Sequence, residues 1–140
     1  MQPARCTTFR IPDLVSRSPL VATCHPNADA INDVSVNWCA NGCSDFTDKK
    51  RKELKGLKAG ILAAYVYADS DDERLRNMTD FIHWFFLLDD LSDGMLSKDT
   101  AMLAEIVTTT LECPQSYRRI SANGKELPEQ EPDVSKLARE

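Results

Sequence analysis

Apolar residues recur along this chain at helical spacing, and no segment shows the strict alternation of a half-buried strand. HPNADAINDVSVNWCANG opens with Pro26 and Asn27 as a capping region and closes on Asn41-Gly42. Ile31, Val34 and Trp38, at i, i+3 and i+7, are its expected buried stripe. SDFTDKKRKELKGLKAGILAAYVYADS reads as one further helix, capped by Thr47 or Asp45. Leu54, Leu57, Ile61, Ala64, Tyr65 and Ala68 share its apolar face. The next helix begins at Ser70 or Asp71, where Asp72 and Glu73 in the first turn complement the helix dipole. SKDTAMLAEIVTTTLEC follows Gly94 after a short turn and is stopped by Pro114. Residues 114–132, with three prolines and Asn123-Gly124, read as a loop. DVSKLARE then starts like a helix and ends after one or two turns. Prolines in FRIPDLVSRSPL make residues 1–26 an extended leader. The expectation is an all-α fold in a single domain, 1–140.

Composition narrows this reading. Hydrophobic residues at 42% and charged residues at 28% describe a globular chain, not a disordered one. A net charge of −5 offers no reason to expect nucleic acid. An anionic substrate then requires local cations or metal ions to reverse the sign. The apolar run from Phe81 to Leu88 is interrupted by His83 and is too short for stable membrane insertion. MQPARCTTFRIPDLVS lacks the apolar core of a secretory signal, and the five cysteines are odd in number, so a reducing, cytoplasmic setting is expected. Cys39 and Cys43 stand at i, i+4, but no second pair at ligand spacing accompanies them, and buried free thiols are the commoner reading. The KKRK run, 49–52, reads as a solvated helix face. Nothing in the pattern specifies an oligomeric state.

The chemistry concentrates in FIHWFFLLDDLSDGM, where bulky apolar residues run straight into acids. On a helix, Asp89 and Asp93 face the same way, while Asp90 points about 100° from Asp89. The Asp89/Asp93 face also carries Phe86, Phe85, Ile82, Met78 and Leu75. This arrangement suggests an apolar wall with a carboxylate rim. Hard cations such as Mg²⁺ take one or two protein carboxylates and fill their shell with phosphates and water. The helix C-terminus adds partial negative charge, which increases the benefit of a divalent cation. A solvated helix end before Gly94 is the bland alternative, and ordinary core packing is the bland alternative for each apolar residue. An EF-hand does not fit, because its positions three and twelve would fall on Leu91 and Thr100.

The order FRIPDLVS, HPNADA…NW, AAYVYADSDDERLRNMTDF and FFLLDDLSD resembles the N-terminal portion of class I terpene synthases, in the style of fungal sesquiterpene cyclases. The resemblance implies a partial α-helical bundle around an aromatic-lined cavity. It implies Mg²⁺, with Mn²⁺ as a substitute, held by D-D-x-x-D against a prenyl diphosphate, farnesyl diphosphate in particular. Metal-assisted loss of pyrophosphate and cyclisation of the carbocation follow from it. Carried over, Asp89 is the leading metal ligand with Asp93 or Asp90 assisting, and Phe85, Phe86 and Ile82 are cavity-wall candidates. Linear prenyltransferases share D-D-x-x-D but follow it with paired arginines; Gly94 to Lys98 follow it here. The second motif, N-D-x-x-S-x-x-x-E, does not occur, since Asn32-Asp33 is followed by Val34, Ser35 and Val36. The isolated chain is therefore expected to be truncated and weakly active or inactive. The competing reading is a small non-catalytic helical interaction protein.

Overall fold

The computed structural model describes residues 10–19, 21–44 and 46–140. Among these residues six helices follow in order: α1 (Ala28–Gly42), α2 (Asp48–Leu57), α3 (Ala59–Val66), α4 (Asp72–Asp93), α5 (Ser97–Glu112) and α6 (Asp133–Arg139). The fold is all-α; among the described residues the only extended pairing is an isolated antiparallel bridge between Ile120 and Glu126. That bridge lies within the 113–132 connection, where Gly124 takes φ +76 in the Asn123-Gly124 turn. The leader expected over 1–26 lies partly outside the described residues, as does Asp45. The described part contains no helix and becomes pinned at His25. The His25 N–H donates to the Ala64 carbonyl at 3.0 Å, and His25 Nε2 meets the Ser70 carbonyl at 3.0 Å.

Caps explain where the helices begin. The Thr47 hydroxyl accepts from the Lys50 N–H, and the Asp71 carboxylate accepts from the Arg74 N–H at 2.8 Å. Each satisfies an amide that has no partner within its own helix. The single helix expected across 47–70 is instead two. Lys58 adopts the left-handed conformation at φ 51, ending α2 and redirecting the chain into α3. The break carries Ala59 and Gly60 into the interior, where the Gly60 N–H donates to Asn32 Oδ1 at 3.0 Å.

Two apolar clusters hold the helices together. Ala28, Ala63, Ala64 and Leu75, with Ile31, Ile61 and Ile82 against them, join α1, α3 and α4. Val36, Cys39, Ala40, Leu54, Trp84, Leu103, Val134 and Leu137 bring in α2, α5 and α6. The buried face of α1 is not the expected stripe. Val34 is 51% exposed, while Asn32, Ser35, Val36, Cys39 and Ala40 are buried. Small residues there let α1 lie close against α3 and α4, a constraint that side-chain hydrophobicity alone does not register. On α2 and α3, likewise, Leu54 and Ala64 are buried but Leu57 and Tyr65 lie about half exposed, because the break at Lys58 rotates one half of the face away.

The short α6 is anchored by tertiary contacts. Trp84 Nε1 donates to the Val134 carbonyl at 2.9 Å, and Ser135 meets the Thr110 hydroxyl at 2.7 Å. Asp133 accepts from the Ser44 N–H and hydroxyl at 2.7 Å and from Lys136 at 2.8 Å. These donors, Lys136 foremost and Ser44 next, hold the Asp133 carboxyl down at about 2.

Candidate metal centre

Asp89, Asp90 and Asp93 occupy the last two turns of α4, where all three are exposed. The turn behind them is closed locally: the Ser92 hydroxyl donates to the Asp89 carbonyl at 2.9 Å, and the Met95 N–H donates to the Ser92 carbonyl at 3.1 Å. Those bonds use backbone carbonyls and hydroxyls, leaving the three carboxylates without an ion pair or side-chain hydrogen bond among the described residues. All three line a cleft of about 390 Å³ between α2 and the end of α4. Phe46, Leu54, Leu57, Phe86 and Leu87 form its apolar side, and Lys50 and Glu53 approach from α2.

Among the described residues the donor chemistry of this cleft is all carboxylate, with no thiol or imidazole in its lining. Such a set suits a hard, oxygen-seeking cation. Among the described residues no three His, Cys, Asp or Glu side chains converge as a ready-made metal cage. The α4 acids are thus suited to supply one or two ligands to an ion whose remaining shell comes from phosphate oxygens and water.

The apolar candidates divide. Phe86 lines the cleft beside the acids. Phe85 stands half exposed, one turn ahead of Asp89, with its ring stacked on Phe81 at 6.3 Å and edge-on to Phe86 at 6.4 Å. Phe81 in turn lies 5.8 Å from Trp84, so four rings run along α4 toward the acidic end. Ile82 does not join them at the cleft; it packs inward against Ala28, Ala63, Ala64 and Leu75. Met78 is partly exposed and Leu75 fully buried, so the expected continuous wall dips into the core at its N-terminal end. Phe46, Lys50, Leu87 and Leu91 were not among the sequence candidates. Lys50 was the more findable of them, since it sits in the KKRK run one turn after the Thr47 cap.

A second cavity of about 520 Å³ shares Phe46, Lys50, Leu87 and Leu91 with the cleft and extends between α4, α5 and the 130–134 segment. Behind α4, the helix interface holds a buried polar pair, with Ser35 Oγ and His83 Nδ1 at 2.8 Å. Burial pushes the His83 pKa down, against the raising influence of the Thr79 carbonyl and Asp80. Its Nε2 has no partner among the described residues. The Cys39 thiol is pushed up by its hydrogen bond with Cys43 and by burial, so it is a poor nucleophile and a poor metal ligand.

Comparison with known proteins fixes the lineage. An alpha-muurolene synthase of Coprinopsis cinerea is 41% identical over 133 residues, covering 95% of this chain. The chain is of the fungal sesquiterpene synthase type. A sesquiterpene synthase of Cyclocybe aegerita is 40% identical over 139 residues, or 99% of the chain, and one from Postia placenta is 37% identical over 100 residues. This sesquiterpene synthase-type chain spans only 30% and 39% of the length of the first two relatives. No protein-family model matches it. Among the described residues no helix is long and apolar enough to cross a membrane.

Proposed function

We propose that this chain supplies the first acidic metal-binding motif and part of the aromatic wall of a sesquiterpene synthase that ionises a prenyl diphosphate, farnesyl diphosphate by preference. The observation that carries the reading is the set of three unpaired, exposed carboxylates on one cleft, directly after a run of contacting aromatic rings on the same helix. Sesquiterpene synthases as relatives supply the chemical context.

In this reading Asp89 is the principal ligand for Mg²⁺ or Mn²⁺, and Asp93 and Asp90 assist directly or through water. When bound, the metal neutralises charge on the departing pyrophosphate. The residues of this chain do the rest of the local work. The α4 acids hold the charged end of the substrate at the top of the helix. Phe85 and Phe86 present ring faces whose negative quadrupole favours a developing carbocation, and they help to exclude water from it. Ile82 supports that wall from the core side. An opposing ligand set is required to close the clamp, and the N-D-x-x-S pattern is absent here, so this chain alone turns over slowly or not at all.

A chimera tests this, with the chain replacing the matching segment of the Cyclocybe aegerita sesquiterpene synthase. It should convert farnesyl diphosphate to hydrocarbon products only with a divalent metal. Asp89→Asn should lower kcat/KM by about 10²-fold or more with little change in Tm. Metal-independent turnover, or full activity of Asp89→Asn, overturns the reading.

A further inference from the structure

Among the described residues, four carboxylates line the α4 cleft, Glu53, Asp89, Asp90 and Asp93, against a single cation, Lys50. Its neighbours in the KKRK run have other occupations. Lys49 pairs with Glu53 at 3.7 Å, and Arg51 is turned toward α1, donating to Asn41 Oδ1 at 3.3 Å and to the Ala40 carbonyl at 3.2 Å. Lys52 is exposed and lines neither this cleft nor the adjoining cavity. Lys50 lines both and makes no ion pair among the described residues, although acids share its cleft. The Thr47 cap fixes the first turn of α2, α2 packs on α1, and Lys50 lines the cleft from there.

We infer that Lys50 is a diphosphate-positioning residue, contacting phosphate oxygens that the metal ions leave free. The inference rests on the metal-binding reading of Asp89, Asp90 and Asp93. An ammonium group has three donors and no acceptor, so it serves phosphate as a mobile point charge. Across a cleft this small, the same charge that attracts a diphosphate repels a divalent cation. Lys50 therefore acts with opposite sign on the two ligands. Removing its charge should weaken the anion and leave the metal unaffected or tighter. A purely structural role for Lys50 would weaken both.

The test is titration of the chimera described above, which carries this chain together with the opposing ligand set, with Mg²⁺ alone, and then with pyrophosphate at saturating Mg²⁺, followed by calorimetry and thermal shift. Lys50→Met should raise the pyrophosphate Kd about three- to fivefold, the range of one partly exposed charged contact, without weakening Mg²⁺. Lys50→Arg should restore most of the loss, and Lys52→Met should change neither. The Lys50 effect should shrink with added salt, as expected for a screened contact. Unchanged pyrophosphate affinity in Lys50→Met, while Asp89→Asn loses binding, overturns this inference and leaves the metal reading standing. Weaker Mg²⁺ and pyrophosphate together in Lys50→Met also overturn it. No pyrophosphate binding by the unsubstituted chimera sinks both.

Discussion

His83 shows how much one residue's role depends on its neighbours. By sequence it merely interrupts an apolar run. In the fold it is fully buried, bonded to Ser35 from a helix 48 positions away, with Asp80 and Arg76 paired at 2.8 Å on its own helix. Its pKa is held below the ordinary 6.5, so between the folded and unfolded values the unfolded chain binds more protons. Its contribution to stability is complete above about pH 6.5 and is lost as pH falls through the lower folded value. Thermal melts from pH 7.5 down to 5 should show Tm falling with acid. His83→Gln should flatten that part of the profile; an equal slope in the variant would assign the effect elsewhere. At the acidic end the Asp89/Asp90/Asp93 triplet was legible because spacing on a helix is a local property. The half-buried fate of Phe85 and the inward turn of Ile82 were not, because they depend on where α1 and α3 lie.

At the scale of elements, two glycines separated by three residues make opposite predictions. A Cβ on Gly60 would stand 2.6 Å from Asn32 Oδ1 and 2.9 Å from the Asn32 Cα, which is backbone. Gly60→Ala should therefore cost about 1–3 kcal/mol by forcing α3 away from α1. A Cβ on Gly56 meets nothing within 4 Å, and its position is helical. Gly56→Ala should stabilise by about 0.5–1 kcal/mol. Urea denaturation followed by circular dichroism measures both. The same contact explains why one expected helix became two. The 3.6-residue period continues through KGLKAGIL, so periodicity alone joins the halves. Close approach of Gly60 to α1 and the hydrogen bond to Asn32 select the break, which Lys58 absorbs at positive φ.

For the whole molecule, the decisive joint is α6 against α4 and α5. Seven residues of helix have little stability alone, and α6 persists through Trp84, Thr110 and the two-point Arg139–Glu131 pair at 2.6 and 2.8 Å. Trp84→Phe removes the bond to Val134 and some buried volume. It should cost about 1–2 kcal/mol and make the 113–132 connection more sensitive to limited proteolysis. Unchanged proteolysis would mean that α6 is held independently of Trp84. The same joint closes one side of the 520 Å³ cavity that adjoins the acidic cleft, so a loosened α6 should also widen the approach to Lys50.

Local rules were enough to determine the helical class, to narrow two helix starts to Thr47 or Asp45 and to Ser70 or Asp71, and to place the stop before Pro114 and the acidic end of α4. Capping, periodicity and proline chemistry act within a few residues of the chain. Tertiary structure alone decided which faces are buried, where the 47–70 segment breaks and which basic residue shares the cleft of the acids. Those outcomes depend on backbone-to-backbone distances between segments far apart in sequence, and small residues such as Ser35, Gly60 and Ala63 set them by allowing close approach. The acids were readable because they share one helix. Lys50 across the cleft from them was not, because its place there depends on how α2 packs on α1.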